Sequence, residues 1–172
     1  MINSSIKYGI IGSVAVIVYM LLLYLTGLHR MGIMGSLWLL LVFVVVIVFV
    51  IAGTKAARAS NGGFISFKDA FIAALICGFV MSIITTSYNY VHYNYIETDY
   101  FDFVINQMHE YGDKMPEDQL EKTTNELLKR KEETKSLNLK NYGYSLIFYV
   151  LVALISAVIF QKKKVDEIGP MA

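Results

Sequence analysis

Charge is segregated along this chain, and that segregation constrains the fold more than any other feature. Four long stretches contain no Asp, Glu, Lys or Arg, and they cover residues 8–28, 31–54, 70–96 and 141–161. A helix of about 20 apolar residues crosses the hydrocarbon core of a bilayer. Each stretch is therefore long enough for one membrane span.

The composition agrees with this interpretation. Hydrophobic residues make up 56% of the 172 residues and charged residues only 17%, whereas about a quarter of the residues in a soluble domain are charged. We expect residues 1–172 to form a single membrane domain surrounded by the lipid bilayer. The net charge of +1 gives no reason to expect nucleic acid as a partner.

The sequence predicts an all-α integral membrane protein with four transmembrane helices and an extramembrane amphipathic helical insert between spans three and four. The second span is rich in Val and Ile, which in water would favour a strand. A lone strand in lipid leaves its backbone groups unpaired, so a helix is expected. This span has no polar stripe and is expected to face lipid most. The four spans are expected at about residues 8–28, 33–52, 70–92 and 142–160.

A stripe of small and polar residues runs along the third predicted span. It consists of Ala74, Gly78, Ser82, Thr85, Thr86 and Asn89. Small residues let helices approach closely, and uncharged polar side chains can hydrogen-bond across an interface for about 0.6 to 2 kcal/mol each. We expect this face to pack against a partner span. Two alternatives are that the hydroxyls bond back to their own helix, and that the face lines a small polar cavity or substrate path.

Both ends of the third span carry signals. Ser66 and Asp69 form a variant capping box, so the helix is expected to begin there and the Asp69 carboxylate to serve the helix start. The other end has four tyrosines, which predict an aromatic belt at the headgroup level. They are Tyr88, Tyr90, Tyr93 and Tyr95.

The three histidines of the chain are His29, His92 and His109. They are far apart in sequence, and none has a second histidine or a cysteine at ligand spacing. Each is therefore expected to stand alone, and neither a metal site nor a cofactor is expected.

Residues 97–140 form the one sizeable polar segment, with 11 acidic and 7 basic residues and so a net charge of −4. Apolar residues at helical spacing predict a first helix, which Gly112 ends. A second helix is predicted from Pro116 to about Lys135. Two amphipathic helices of this kind can pack on each other, on the membrane surface or on a second subunit.

The basic residues close to the spans indicate an orientation. Those at the N-terminus, in the second loop and at the C-terminus have few acidic neighbours, and they are Lys7, Lys55, Arg58, Lys68, Lys162, Lys163 and Lys164. Positive residues near spans mark the cytoplasmic face. We therefore predict a multi-pass protein of the bacterial inner (cell) membrane, with both termini cytoplasmic and residues 97–140 extracytoplasmic.

Three sequence motifs carry a family resemblance. They are Gly63-Phe-Ile-Ser-Phe-Lys-Asp-Ala-Phe71, Tyr93-Asn-Tyr-Ile-Glu-Thr-Asp99 and Met115-Pro-Glu-Asp-Gln-Leu120. Together they resemble the bacterial family catalogued as domain of unknown function 4199, whose members look like small four-span proteins with a helical insert before the last span. The resemblance covers nearly the whole chain. It implies an integral membrane protein and brings no activity or functional residues with it.

The motifs that carry chemistry are missing from the sequence. The spans hold none of the charged residues on which proton relays and ion-coupled carriers depend, and no phosphate loop, HExxH helix or nucleophile elbow occurs. We therefore do not expect an enzyme. The favoured hypothesis is a structural or protein-interaction component of the inner membrane, acting as a homo-oligomer or with a membrane protein partner.

Two other functions stay open as hypotheses. One is a small permease or channel that uses the polar face of span three. The other is a lipid-modifying or proteolytic membrane enzyme with an intramembrane site assembled from Ser82, Asn89 and His92.

Overall fold

The computed structural model describes residues 1–31, 33–110, 116–137 and 139–162. About 88% of the structure is helical, and the described residues contain no β-strand. The prediction of an all-α chain is therefore confirmed, including a helix in the Val- and Ile-rich second apolar stretch. The elements in chain order are α1 (Ile2–Thr26), a 3-10 turn (Leu28–Arg30), α2 (Ile33–Ser60), α3 (Phe67–Val91), a π turn (His92–Ile96), α4 (Tyr100–Glu110), α5 (Glu117–Thr134) and α6 (Leu139–Phe160).

Among the described residues, three helical segments are long and apolar enough to cross a membrane. They are Ile2–Thr26, Leu37–Ser60 and Phe67–Ile96, and a shorter apolar helix covers Leu146–Phe160 within α6. All four are compatible with a membrane protein. Of the three long segments, the one in α2 buries the smallest share of its residues, and its exposed side chains are mainly large aliphatic ones.

Local sequence explains where these helices begin and end. The Ser66 hydroxyl accepts a hydrogen bond from the Asp69 backbone N–H at 3.1 Å, so the predicted cap at the start of α3 is confirmed. At the end of α1, Gly27 adopts the left-handed conformation with φ of 68°, which glycine reaches without steric cost. This turn leads directly into the 3-10 turn, so α1 and α2 form an antiparallel hairpin.

The core lies where α1, α2 and α6 meet α3. Its buried residues include Val16, Val50, Cys77, Met81 and Tyr149. Glycines permit this close approach of the helices. A Cβ placed at Gly78 of α3 would lie 2.8 Å from the Tyr149 Cβ of α6, and one at Gly12 of α1 would lie 2.7 Å from the Phe49 Cβ of α2. Helices in apolar surroundings gain van der Waals contact by such small-residue packing.

The segments that connect the helices lie at two opposite ends of the bundle. At one end, Ile65 and Lys162 exchange two backbone hydrogen bonds of 3.0 and 2.8 Å, and Met1 packs near Ala57 and Ile65. The N-terminus, the α2–α3 connection and the end of α6 therefore lie together. The 3-10 turn, the π turn and α4 lie at the opposite end.

The described residues of the polar segment contain two helices, α4 and α5. The second predicted helix, from Pro116 to about Lys135, corresponds to α5, with Pro116 at its N-cap. Lys131 of α5 bridges both carboxylate oxygens of Asp102 in α4, at 2.6 and 2.8 Å, so the two helices pack on each other. The predicted break at Gly112 lies outside the described residues.

Candidate functional site

A buried carboxylate organises the end of the bundle that carries α4. Glu97 follows the π turn and is only 2% exposed. The His29 Nε2 lies 2.6 Å from its Oε1, and the His92 Nε2 lies 3.1 Å from its Oε2. Arg30 donates from Nε to the same Oε1 at 2.8 Å. Three donors from two distant parts of the chain thus surround one carboxylate, which is the arrangement that a buried charge requires.

Arg30 extends this cluster to the surface and onto α4. Its guanidinium forms a forked pair with Asp99, with N–O distances of 3.0 and 2.6 Å, and its Cζ lies 5.0 Å from the centre of the Phe103 ring. Gln107 donates to the Arg30 backbone carbonyl at 3.4 Å. Planar two-point contacts of this kind fix orientation as well as charge. Arg30 therefore attaches the 3-10 turn to α4 and to the residue that precedes it.

Hydrogen-bond partners assign the protons of the two histidines. His29 Nδ1 lies 2.8 Å from the Leu23 carbonyl and its Nε2 faces Glu97, and both of these partners only accept. Both ring nitrogens thus face acceptors, a pair of contacts that only a doubly protonated ring fills completely. His92 differs, because its Nδ1 lies 3.0 Å from the Tyr88 hydroxyl, which can donate. A neutral His92 satisfies its contacts. Arg30 is the permanent cation of the cluster and faces the carboxylates of Glu97 and Asp99.

The acid–base properties follow from these contacts. Burial by itself would raise the pKa of the Glu97 carboxyl, but hydrogen bonds from His92, His29 and Arg30 outweigh burial and lower that pKa to about 2. The guanidinium of Arg30 lowers the pKa of Asp99, and Asp99 in turn raises that of Arg30. Burial and the Glu97 charge raise the pKa of Tyr100. Glu97 is therefore a carboxylate at neutral pH.

The π turn creates the Glu97–His92 contact. Residues five apart on an α-helix point about 140° away from each other, since successive residues turn by about 100°. The wider turn closes with the Glu97 N–H donating to the His92 carbonyl at 2.7 Å. It brings both side chains to the same side. Such π turns are frequent at functional sites.

An open cavity lies beside this cluster, between the end of α3 and α5. Its volume is about 710 Å³. Tyr93 and Tyr100, whose ring centres are 5.1 Å apart, form the wall that divides it from the histidines, which they contact on the other side. Phe101 completes the wall. Asn94 donates to the Thr134 carbonyl at 2.7 Å and so fixes the end of α5 over the cavity.

The polar stripe of span three divides between packing and cavity. Ala74, Gly78 and Ser82 lie in the buried part of α3, and Gly78 faces Tyr149 of α6. The Thr85 hydroxyl donates to the Met81 carbonyl at 2.7 Å, which is the bond back to its own helix. Thr86 and Asn89 line the cavity. The residues of the stripe therefore lie in three different surroundings.

The expectation that His29 and His92 stand alone is wrong. They lie on opposite oxygens of Glu97, because the π turn and the return of the chain to the first hairpin bring distant segments together. Within the described part of the chain, no three His, Cys, Asp or Glu side chains form a group that could hold a metal ion.

Two residues of the hypothetical intramembrane enzyme site lie apart. Ser82 is in α3 and His92 begins the π turn ten residues later, about 15 Å further along a helical axis. The arrangement around Glu97 is an ion-pair cluster that can hold protons and join helices.

Glu97 was not predicted as a site residue, although one signal in the sequence pointed to it. Arg30 is the single Lys or Arg of the first loop, and Glu97 and Asp99 directly follow the third apolar stretch. Two loops on the same side of a bundle, one with a lone cation and the other beginning with two carboxylates, favour an ion pair.

Comparison with known proteins gives the family. No curated protein and no solved structure matches the chain significantly. The family described as "Protein of unknown function (DUF4199)" matches residues 7–162, which include every helix from α2 to α6 and most of α1. The chain therefore belongs to this family, as its three sequence motifs indicated.

Proposed function

We propose that this chain is a four-span protein of the bacterial inner membrane, with α6 as the fourth span. The 22 residues of α6 extend about 33 Å at 1.5 Å per residue, which matches a hydrocarbon core of about 30 Å. Its packing along α3 supports this, and so does its outer face, which exposes aliphatic side chains such as Ile147, Leu151 and Ile155. The segment of residues 97–140 then stands outside the membrane as one insert.

The proposed orientation has both termini in the cytoplasm and the insert on the extracytoplasmic side. The end of the bundle that holds Met1 and the end of α6 carries Lys55, Arg58, Lys68 and Lys162, with Asp69 as the single acidic residue described there. The opposite end carries the acidic insert. An excess of Lys and Arg close to the spans is typical of the cytoplasmic face.

Single-cysteine labelling tests this orientation. Cys77 is the one cysteine of the chain and is buried, so the wild-type protein supplies the background. With a membrane-impermeant maleimide on intact spheroplasts, we expect Lys122→Cys in α5 to react and Asn61→Cys in the α2–α3 turn to react only after lysis. The reverse pattern, or reaction of both before lysis, contradicts the proposed topology.

The function supported best is that of a non-enzymatic structural or interaction protein, which presents α4 and α5 to a second copy or a membrane protein partner. The buried Glu97 cluster carries this proposal. The cluster attaches α4 to the first hairpin, and this attachment requires that a charged group be removed from water. A loop that moves freely would not need such an attachment. A rigid outer surface loses little conformational freedom when a partner binds, and this favours recognition.

Co-purification tests this function. Mild detergent extraction of the wild-type protein is expected to retain a second subunit or partner. The Arg30→Gln variant should lose the second subunit or partner but remain in the membrane, because the substitution weakens only the attachment of α4 to the first hairpin. Lys122→Gln, an exposed charge away from the cluster, is the matched control and should keep the partner. A wild-type protein that is strictly monomeric and without a partner contradicts the proposal.

The alternative is a small permease or channel that uses the polar face of span three. The cavity at Thr86 and Asn89 favours it. The tight packing at Gly78 opposes it, because a path within one subunit would have to continue there. Liposome flux that Asn89→Leu and Thr86→Val both reduce would support the permease, whereas flux that neither changes would contradict this path.

A further inference from the structure

The cavity beside Glu97 carries polar groups without partners. Thr86 and Asn89 of α3, and Glu126, Lys129 and Arg130 of α5, line it. None of these side chains hydrogen-bonds or pairs with another described residue, whereas Asp102 and Lys131 close by do. Unpaired amides and charges that converge on one space provide a ready set of contacts for a polar ligand.

The cavity also lies at a boundary between apolar and polar surroundings. Thr86 and Asn89 belong to the apolar segment Phe67–Ile96, and the charged side chains stand above them on α5. Tyrosines fill the level between, and aromatic rings of this kind favour the headgroup region of a bilayer. A ligand that meets all of these groups has an uncharged polar part toward the membrane and a charged part toward the water.

The charges on α5 narrow the choice of ligand. Glu126, Lys129, Arg130 and Glu133 are spaced three and four apart, so they share one helix face, and all four line the cavity. Two cations and two carboxylates balance each other. A ligand with one negative and one positive group complements this face, whereas a purely anionic ligand would meet both carboxylates unfavourably.

We propose that the cavity binds the headgroup of a zwitterionic phospholipid that has a primary ammonium, from the leaflet next to α5. Lys129 and Arg130 bind the phosphodiester, because Arg and Lys are the usual partners of phosphate oxygens. Glu126 accepts from the ammonium. The amide of Asn89 and the hydroxyl of Thr86 bind the ester region below. This inference rests on the proposed membrane topology. It makes a bound lipid part of the outer surface.

Native mass spectrometry of the full-length protein in detergent tests the proposal. Phosphatidylethanolamine and phosphatidylglycerol are titrated separately, and we expect the first to bind at least about tenfold more tightly, since one charge-assisted contact contributes about that factor. The double variant Lys129→Gln/Arg130→Gln should weaken phosphatidylethanolamine binding about tenfold or more. The matched double variant Lys122→Gln/Lys135→Gln removes two cations of the same segment that do not line the cavity, and binding should change by less than about twofold.

Two further arms separate the lipid from its soluble headgroup. Asn89→Leu should weaken lipid binding, and glycerophosphoethanolamine should compete poorly because it lacks the acyl chains that lie along α3. Equal binding of both lipids, equal effects of the two double variants, or full competition by the soluble headgroup would overturn the proposal.

The cysteine labelling that tests the orientation is independent of these lipid-binding results. Reversed labelling with lipid binding intact would refute the orientation alone, and correct labelling without lipid selectivity would refute the lipid site alone.

Discussion

The His29 Nε2 lies 2.6 Å from the Glu97 Oε1, although 68 residues separate the two in sequence. This contact joins the connection between α1 and α2 to the segment that follows α3. The other ring nitrogen of His29 lies 2.8 Å from the Leu23 carbonyl, so the ring is held between two acceptors. The His29 side chain therefore links the first helical hairpin to the outer segment in a fixed orientation.

Removing the Glu97 charge should destabilise the fold. In Glu97→Gln, the buried His29 loses its carboxylate partner and Arg30 keeps only Asp99, and breaking a buried pair by changing one partner costs about 3–5 kcal/mol. Thermal unfolding in detergent measures the loss. Glu132→Gln is the matched control, because Glu132 pairs with Lys135 on the exposed surface of α5, where such pairs contribute about 0–1 kcal/mol. Equal effects of the two variants would contradict the structural role of Glu97.

The two histidines should respond differently to replacement by glutamine. A neutral His92 can satisfy both Glu97 and the Tyr88 hydroxyl, and a glutamine amide has the same donor and acceptor, so His92→Gln should cost about 1 kcal/mol. His29→Gln removes a cation, and hydrogen bonds to charged groups contribute about 1.5–3 kcal/mol. We expect a larger loss of stability for His29→Gln.

Side-chain ¹⁵N NMR provides a second measurement of this difference. At neutral pH the spectrum should show His29 with both ring nitrogens protonated. It should show His92 with a proton on Nε2 alone. Two neutral rings, or equal losses of stability in the two glutamine variants, would contradict the proton assignment.

The lowered pKa of Glu97 predicts a stability that depends on pH. The folded carboxyl has a pKa of about 2, against 4.5 ordinarily, so the folded state binds this proton less readily than the unfolded state does. The Glu97 contribution is therefore complete above about pH 5 and is lost as the pH falls toward 2. From the difference between the folded and ordinary pKa values, the Glu97 contribution to the free energy of unfolding amounts to about 3 kcal/mol.

Melting curves of the wild-type protein and Glu97→Gln between pH 7 and pH 3 measure this dependence. The gap in melting temperature between the two proteins should be largest at about pH 5. It should then narrow as the pH falls further. A gap that stays constant down to pH 3 would mean that the Glu97 pKa is not lowered in the fold.

The sequence predicted the helices and missed the cluster, for physical reasons. Apolar stretches of span length are unambiguous, because lipid allows few other structures for them. The ends of α3 were also predictable at Ser66, where a cap satisfies a local donor. Glu97 was not, because its partners at positions 29 and 92 depend on where the chain returns and on a π turn that no periodicity signals.

The predicted face of span three shows the same limit within one helix. Small and polar residues at four-residue spacing indicate a buried face, and Gly78 and Ser82 lie on one. Thr86 and Asn89 continue the spacing and line a cavity instead. The difference arises because α6 packs along the first part of the face and α5 stands across the other, which only the tertiary arrangement determines.

The α3–α6 contact should be sensitive to a single methyl group. Gly78→Ala would place its Cβ 2.8 Å from the Tyr149 Cβ and 2.7 Å from a carbon of its ring, so the two helices must move apart, and overpacking of this kind costs about 1–3 kcal/mol. Gly143→Ala in α6 is the control. Beyond its own helix turn, no described residue lies within 4 Å of the corresponding Cβ, and alanine favours a helix by up to about 1 kcal/mol over glycine. Thermal unfolding should show Gly78→Ala below the wild type and Gly143→Ala at or above it. The opposite order would mean that α3 and α6 do not pack through Gly78.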